Sequence, residues 1–158
     1  GARPTKDGLS TTAFPSGVGG IPVEITESQS PLIFWVKEYL QDSAGAGMWR
    51  GGLSQRIVIG SSDGVGFDCS AATFDRRAYP ARGRSGGLEG MPGKVEIQSA
   101  NGDVAEFEGK GTLHIPAHGK LCIQLPGGGG FGYPDARDIT KVQHDVVNEY
   151  VSARPKSV

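Results

Sequence analysis

Apolar and polar residues alternate in short runs along most of this chain, a period-two rhythm that predicts strands. Residues 120–125 read most clearly, with Leu121, Ile123 and Leu125 on one face and Cys122 and Gln124 on the other. Further strands are predicted over residues 21–26, Leu32–Leu40, 55–59, 66–74, Lys94–Gln98 and 104–108. In the first of these, Ile21, Val23 and Ile25 alternate with Pro22 and Glu24. Pro31 could open a helix over the second, but Ile33, Phe34, Trp35, Val36 and Tyr39 are strand formers and decide for a strand. Asn101-Gly102 is a hairpin-turn signal between the strands on either side of it. Residues 75–93 read as irregular. Near the C-terminus the period changes: Ile139, Val142, Val146, Val147, Tyr150 and Val151 form a single stripe at helical spacing. Asp138 is a natural N-cap and Pro155 follows the expected end. Such a helix is expected to bury its stripe against the sheet or a partner.

The fold class expected from this pattern is mainly β, with mixed or antiparallel sheets, many loops and glycines, and one C-terminal α-helix. Residues 1–20 read as an extended arm, 21–134 as a β-rich domain ending in a glycine loop, and 135–158 as a helix and tail. A length of 158 residues suits one domain. An apolar fraction of 37% with 26 glycines and 10 prolines disfavours a helical bundle. It also suits a core completed by another chain. The net charge of −1 offers no global field for nucleic acid. Without an apolar run of membrane-spanning length or a signal-like N-terminus, the expected setting is cytoplasmic, away from membranes. Cys69 and Cys122 read as two packed, reduced thiols rather than a disulfide framework. Starting at Gly1 without methionine suggests processing, a cloning boundary or removal of an initiator.

Candidate chemistry concentrates in two places. The first is the run Pro126, Gly127, Gly128, Gly129, Gly130, Phe131, Gly132. Gly127, Gly129 and Gly132 match the spacing of a dinucleotide fingerprint, which requires a helix to open on the last glycine. Here Pro134 and several polar residues intervene before Asp138, and no second βαβ strand follows, so that reading fails. Gly109-Lys110-Gly111-Thr112 lacks the spacing of a phosphate-binding P-loop. The bland reading of the glycine run is a tight crossing loop packed on a neighbouring element. The second place is Asp75-Arg76-Arg77, readable either as a solvated turn or as an anion clamp, since guanidinium offers bidentate geometry to carboxylates and phosphates. His114, His118 and His144 lack metal-ligand spacing, and no nucleophile motif is present, so no catalytic residue or metal site is assigned.

Taken in order, several segments resemble the hydantoinase B / 5-oxoprolinase family. They are Gly1-Ala2-Arg3-Pro4, Asp7-Gly8-Leu9-Ser10, Phe14-Pro15-Ser16-Gly17, Pro22-Val23-Glu24 and the run from Gly45 to Leu53. Asp75-Arg76-Arg77, the run from Gly86 to Gly93, the glycine loop and Arg137-Asp138 complete the set. Tyr133 departs from the pattern, in which an aspartate often precedes the proline. The resemblance implies the C-terminal portion of a longer polypeptide, acting with a hydantoinase A-type partner in ATP-dependent hydrolysis of a cyclic amide or imide. It also implies two alternatives, a subunit of a biotin-independent ketone carboxylase and a non-catalytic assembly domain. ATP and a divalent metal are expected in the partner, with none in this chain. On this view Asp75, Arg76, Arg77 and the loop glycines Gly127, Gly128, Gly129, Gly130 and Gly132 would face a shared reaction chamber. The arginines would hold an anionic substrate or phosphorylated intermediate, and the loop amides would bind oxyanions.

Overall fold

The computed structural model describes residues 1–12, 20–71 and 75–153. Among them run seven strands: β1 (Leu32–Leu40), β2 (Ser54–Ser61), β3 (Phe67–Ser70), β4 (Lys94–Gln98), β5 (Val104–Glu106), β6 (Thr112–Ile115) and β7 (Lys120–Gln124). Five form an antiparallel sheet in the order β1-β2-β7-β4-β5, and β3 and β6 form a separate antiparallel pair. The period-two pattern thus yields a mainly β, antiparallel protein, with the Asn101-Gly102 turn joining β4 to β5. The β3 strand is shorter than the predicted run, of which residues 72–74 lie outside the described residues. Residues 13–19 of the predicted arm and 154–158 of the tail also lie outside them.

Register explains the core. Ile57 pairs with Ile123, Ile59 with Leu121, and Val95 with Ile123, so one face of the central strands is apolar. On the smaller sheet, Phe67 pairs with Ile115 and Cys69 with Leu113. These faces meet around Ala71, Val95, Leu113, Ile115, Leu121 and Ile123, with Phe107 and Leu125 packed at the margin. Each fully buried Ile, Leu or Val here contributes roughly 1.5–3 kcal/mol. The outward residues of the smaller sheet, Asp68, Ser70, Thr112 and His114, are polar and exposed. Cys69 and Cys122 are free thiols, both pushed up by burial.

Strand β6 is not among the predicted strands, and two further elements differ from the pattern reading. Residues 21–26 do not form a strand: Val23–Gln29 is a short α-helix, α1. Pro22 precedes it, Glu24 sits in its first turn, and Glu27 reaches out to accept the Phe34 amide of β1 at 2.8 Å. Here the adjoining Phe34 amide is taken by the Glu27 side chain, and Ile21 and Ile25 remain exposed. The C-terminal helix, α2 (Ile139–Val147), begins as predicted, with Asp138 accepting from the Thr140 amide. Of its apolar stripe, Val142 and Val146 are half-buried, as are Tyr150 and Val151 beyond its end. Ile139 and Val147 are exposed, and its buried residue is Asp145.

Outside the sheets, the glycine-rich segments interlock through backbone hydrogen bonds. Gly45 N–H donates to the Gly128 carbonyl, Gly128 N–H to Gly52 and Gly130 N–H to Leu88. Trp49 and Phe131 exchange both of their backbone bonds. The N-terminal segment joins this weave through Ala2 N–H to Gly129 and Gly8 N–H to Arg50. Side chains are excluded where the segments cross. A Cβ on Gly127 would stand 1.9 Å from the Ser43 carbonyl oxygen, and one on Gly51 would stand 1.9 Å from that of Gly128.

Candidate functional site

Asp75, Arg76 and Arg77 follow the smaller sheet and lie against the margin of the core. Their side chains have separate fates. Asp75 accepts from the Lys110 ammonium at 2.8 Å, and that partner holds its carboxyl below its ordinary value of 3.8. Arg77 donates to the backbone carbonyls of Phe107 and Gly109 and lies over the Phe107 ring, 5.9 Å from its centroid. Arg76 has φ +59, in the left-handed region, and its carbonyl accepts the Gly93 amide at 3.0 Å. Its guanidinium makes no hydrogen bond or ion pair among the described residues.

These three residues line two adjacent cavities of about 640 and 460 Å³. Gly127 and Gly128 share the lining of the larger one, whereas Gly129, Gly130 and Gly132 do not border it. Leu53, Val95 and Leu125 supply an apolar wall there, and Gln55 and Gln124 supply amides. The structure therefore gathers part of the expected site at one place. It also engages most of the amides of the glycine loop. The amides of Gly127, Gly128, Gly130, Phe131 and Gly132 all donate to carbonyls of the surrounding segments. Gly129 is the one glycine of the loop whose amide has no such backbone acceptor among the described residues. No cluster of three His, Cys, Asp or Glu side chains suitable for a metal ion exists among the described residues. His114 pairs with Asp68 on the outer face of the smaller sheet, while His118 sits in a turn at φ +57 and His144 faces solvent.

A second polar cluster, unanticipated from the sequence, lies where the N-terminal segment, the glycine weave and α2 meet. Arg137 donates to both oxygens of Asp7, at 2.8 and 3.0 Å, and to Asp145 Oδ2 at 2.7 Å. Arg50 Nε reaches the same Asp145 oxygen at 3.2 Å, and its guanidinium lies 5.1 Å from the Tyr150 ring centroid. Burial alone would raise the Asp7 carboxyl. The Arg137 hydrogen bond, the Arg50 amide and both guanidinium charges outweigh it and hold Asp7 below 3.8. Arg137 is conversely raised: burial opposes its charge, and Asp7 and Asp145 more than restore it. The available sequence signal was that Asp7, Arg50 and Arg137 all fall within the motif segments. Asp145 lies outside them, on α2.

Residues 1–134 match the family described as Hydantoinase B/oxoprolinase. The chain is 32% identical over 134 residues to an uncharacterized protein of Methanocaldococcus jannaschii, covering 84% of this chain and 23% of that one. It is 30% identical over 139 residues to caprolactamase subunit beta of Pseudomonas jessenii, covering 82% and 23%. Among solved structures, the ATP-dependent caprolactamase of Pseudomonas jessenii superimposes with a TM-score of 0.80 at 22% identity, covering 96% of this chain and 27% of that one. A nucleotide-free acetone carboxylase superimposes with a TM-score of 0.63 at 20% identity, covering 94% and 24%. At these identities the two superpositions speak to the fold. This chain spans about a quarter of the length of these relatives.

Proposed function

This chain belongs to the hydantoinase B/oxoprolinase family, and from that premise we propose that it is the C-terminal component of an ATP-dependent enzyme that hydrolyses a cyclic amide or imide. The observation that carries the reading is the family match over residues 1–134, together with the 30% identity to caprolactamase subunit beta. Oxoproline, hydantoin and caprolactam are all rings closed through an amide bond. Their hydrolysis needs a pocket that seats a small, partly apolar ring and aligns its carbonyl. The cavity beside Asp75, Arg76 and Arg77 has suitable walls, and it is the face this chain would turn toward the reaction chamber. The remaining groups would come from the rest of a hydantoinase B-type polypeptide and from a hydantoinase A-type partner. In this reading ATP and its divalent metal are held by that partner. The same reading sets the enzyme in the cytoplasm, as its family resemblance suggests. No helix among the described residues is long and apolar enough to cross a membrane.

The test is ATP-dependent ring opening of 5-oxoproline, hydantoin and caprolactam by the assembled enzyme, with acetone and bicarbonate as the competing substrates. Ring opening with no carboxylation supports the reading, and bicarbonate incorporation into the ketone replaces it with the carboxylase. In the same assembly, the Arg76→Ala, Arg77→Ala pair should lower turnover without loss of assembly. Unchanged turnover by that pair, with complex formation lost on removal of this chain, would reduce the chain to an assembly domain.

A further inference from the structure

We propose that Arg76 is the residue through which the larger cavity grips an oxyanion, either the carboxylate of a ring substrate or a phosphoryl group. This deepens the reading of that cavity as the substrate-facing site and rests on it. Three observations single out Arg76. Its neighbours are engaged elsewhere: Asp75 with Lys110, and Arg77 with the carbonyls of Phe107 and Gly109. Its backbone is pinned by the Gly93 amide and held at φ +59, a conformation side-chain-bearing residues seldom adopt and one that recurs at ligand sites. Arg76 lines both cavities, and its guanidinium, beside the Asp75 charge, has no hydrogen-bond acceptor among the described residues. A guanidinium is always charged and presents five N–H donors in a fixed fork that fits carboxylate and phosphate oxygens. Lys94, the other side-chain cation of that wall beside the arginines, is bridged by Glu96 at 2.7 Å and Glu106 at 3.5 Å. Leu53, Val95 and Leu125 would pack the methylene edge of a ring whose anionic group meets Arg76.

The experiment titrates the full chain with inorganic phosphate, with 5-oxoproline, and with 2-pyrrolidone, the same ring without its carboxylate. The readouts are the NMR signals of the Gly93 amide and the Arg76 guanidinium. Expected is saturable binding of at least one oxyanion that weakens with added salt, and weaker binding of the neutral ring. Arg76→Ala should reduce oxyanion affinity roughly tenfold or more, and Arg76→Lys by less. The exposed Arg84→Ala should leave it unchanged. Tighter binding of phosphate assigns a phosphoryl group, and tighter binding of 5-oxoproline assigns the substrate carboxylate. Equal binding by the wild-type chain and Arg76→Ala, or no oxyanion binding by the wild-type chain, overturns the proposal. Ring opening by the assembled enzyme is scored separately. If it persists while oxyanion binding fails, only the Arg76 assignment falls. If oxyanions bind at Arg76 and no ring is opened, the Arg76 assignment stands and the hydrolase reading falls.

Discussion

Asp145 accepts from two guanidinium groups through one carboxylate oxygen while only 3% of its surface meets solvent. Removing it leaves Arg50 and Arg137 charged in a site that gives little water in exchange. Breaking a buried pair in this way costs about 3–5 kcal/mol. Asp145→Ala should therefore lower the urea midpoint by that equivalent, and a shift below about 1 kcal/mol would contradict the buried-network account. Asp7 carries a pH signature. Its carboxyl is held below 3.8 in the folded protein, so its stabilisation is present above the unfolded value and is lost as pH falls through the lower folded value. The stability gap between wild type and Asp7→Asn should be wide near neutral pH and close on acidification below about pH 4. A gap independent of pH would show that Asp7 acts through shape rather than charge. Arg137 titrates beyond the working range and adds no slope there.

At the scale of elements, the glycine weave answers to close approach rather than to sequence alternation. Gly127→Ala would press a methyl onto the Ser43 carbonyl, and both strands of the crossing are backbone. We expect a loss of about 3 kcal/mol or more, or failure to fold. Gly20→Ala meets nothing within 4 Å and should stay within about 0.5 kcal/mol. Thermal midpoints of the two variants test the contrast, and equal midpoints would contradict it. Strands were legible where a longer run of strand formers had a sheet neighbour, as in β1, β2, β4 and β7, whereas the four-residue β6 was not. Residues 21–26 alternate but have no strand partner, and Val23–Gln29 forms α1 instead. In α2 the apolar stripe from Ile139 to Val147 is helical and half-buried at Val142 and Val146. The buried attraction on that helix is a carboxylate, which hydrophobic periodicity ignores. Of the candidate site, the residue types at 75–77 and 127–128 were legible. Which of them remains free to meet a ligand was not.

For the whole molecule, the small core and the many half-exposed apolar side chains, among them Trp35, Tyr39, Tyr79 and Tyr133, suit a part of a larger assembly. The relatives are about four times as long as the stretch matched here. We accordingly expect the purified chain by itself to open no ring in the presence of ATP and magnesium. Measurable ATP-dependent turnover by the isolated chain would overturn that expectation and place the catalytic groups here.

What the residues determined by themselves was local or collinear. Alternation, the Asn101-Gly102 turn and the Asp138 cap each depend on neighbours a few positions away, and the ordered motif segments identify the family without any folding at all. Tertiary structure decided the rest. Arg137 finds Asp7 across 130 positions and Arg50 finds Asp145 across 95, and no periodicity records such meetings. The same holds for the glycine loop, whose amides were available to any acceptor until the chain returned to supply carbonyls for them. An ion pair or a hydrogen bond depends on where the chain comes back to itself, so its partners become known only when the fold brings them within about 3 Å.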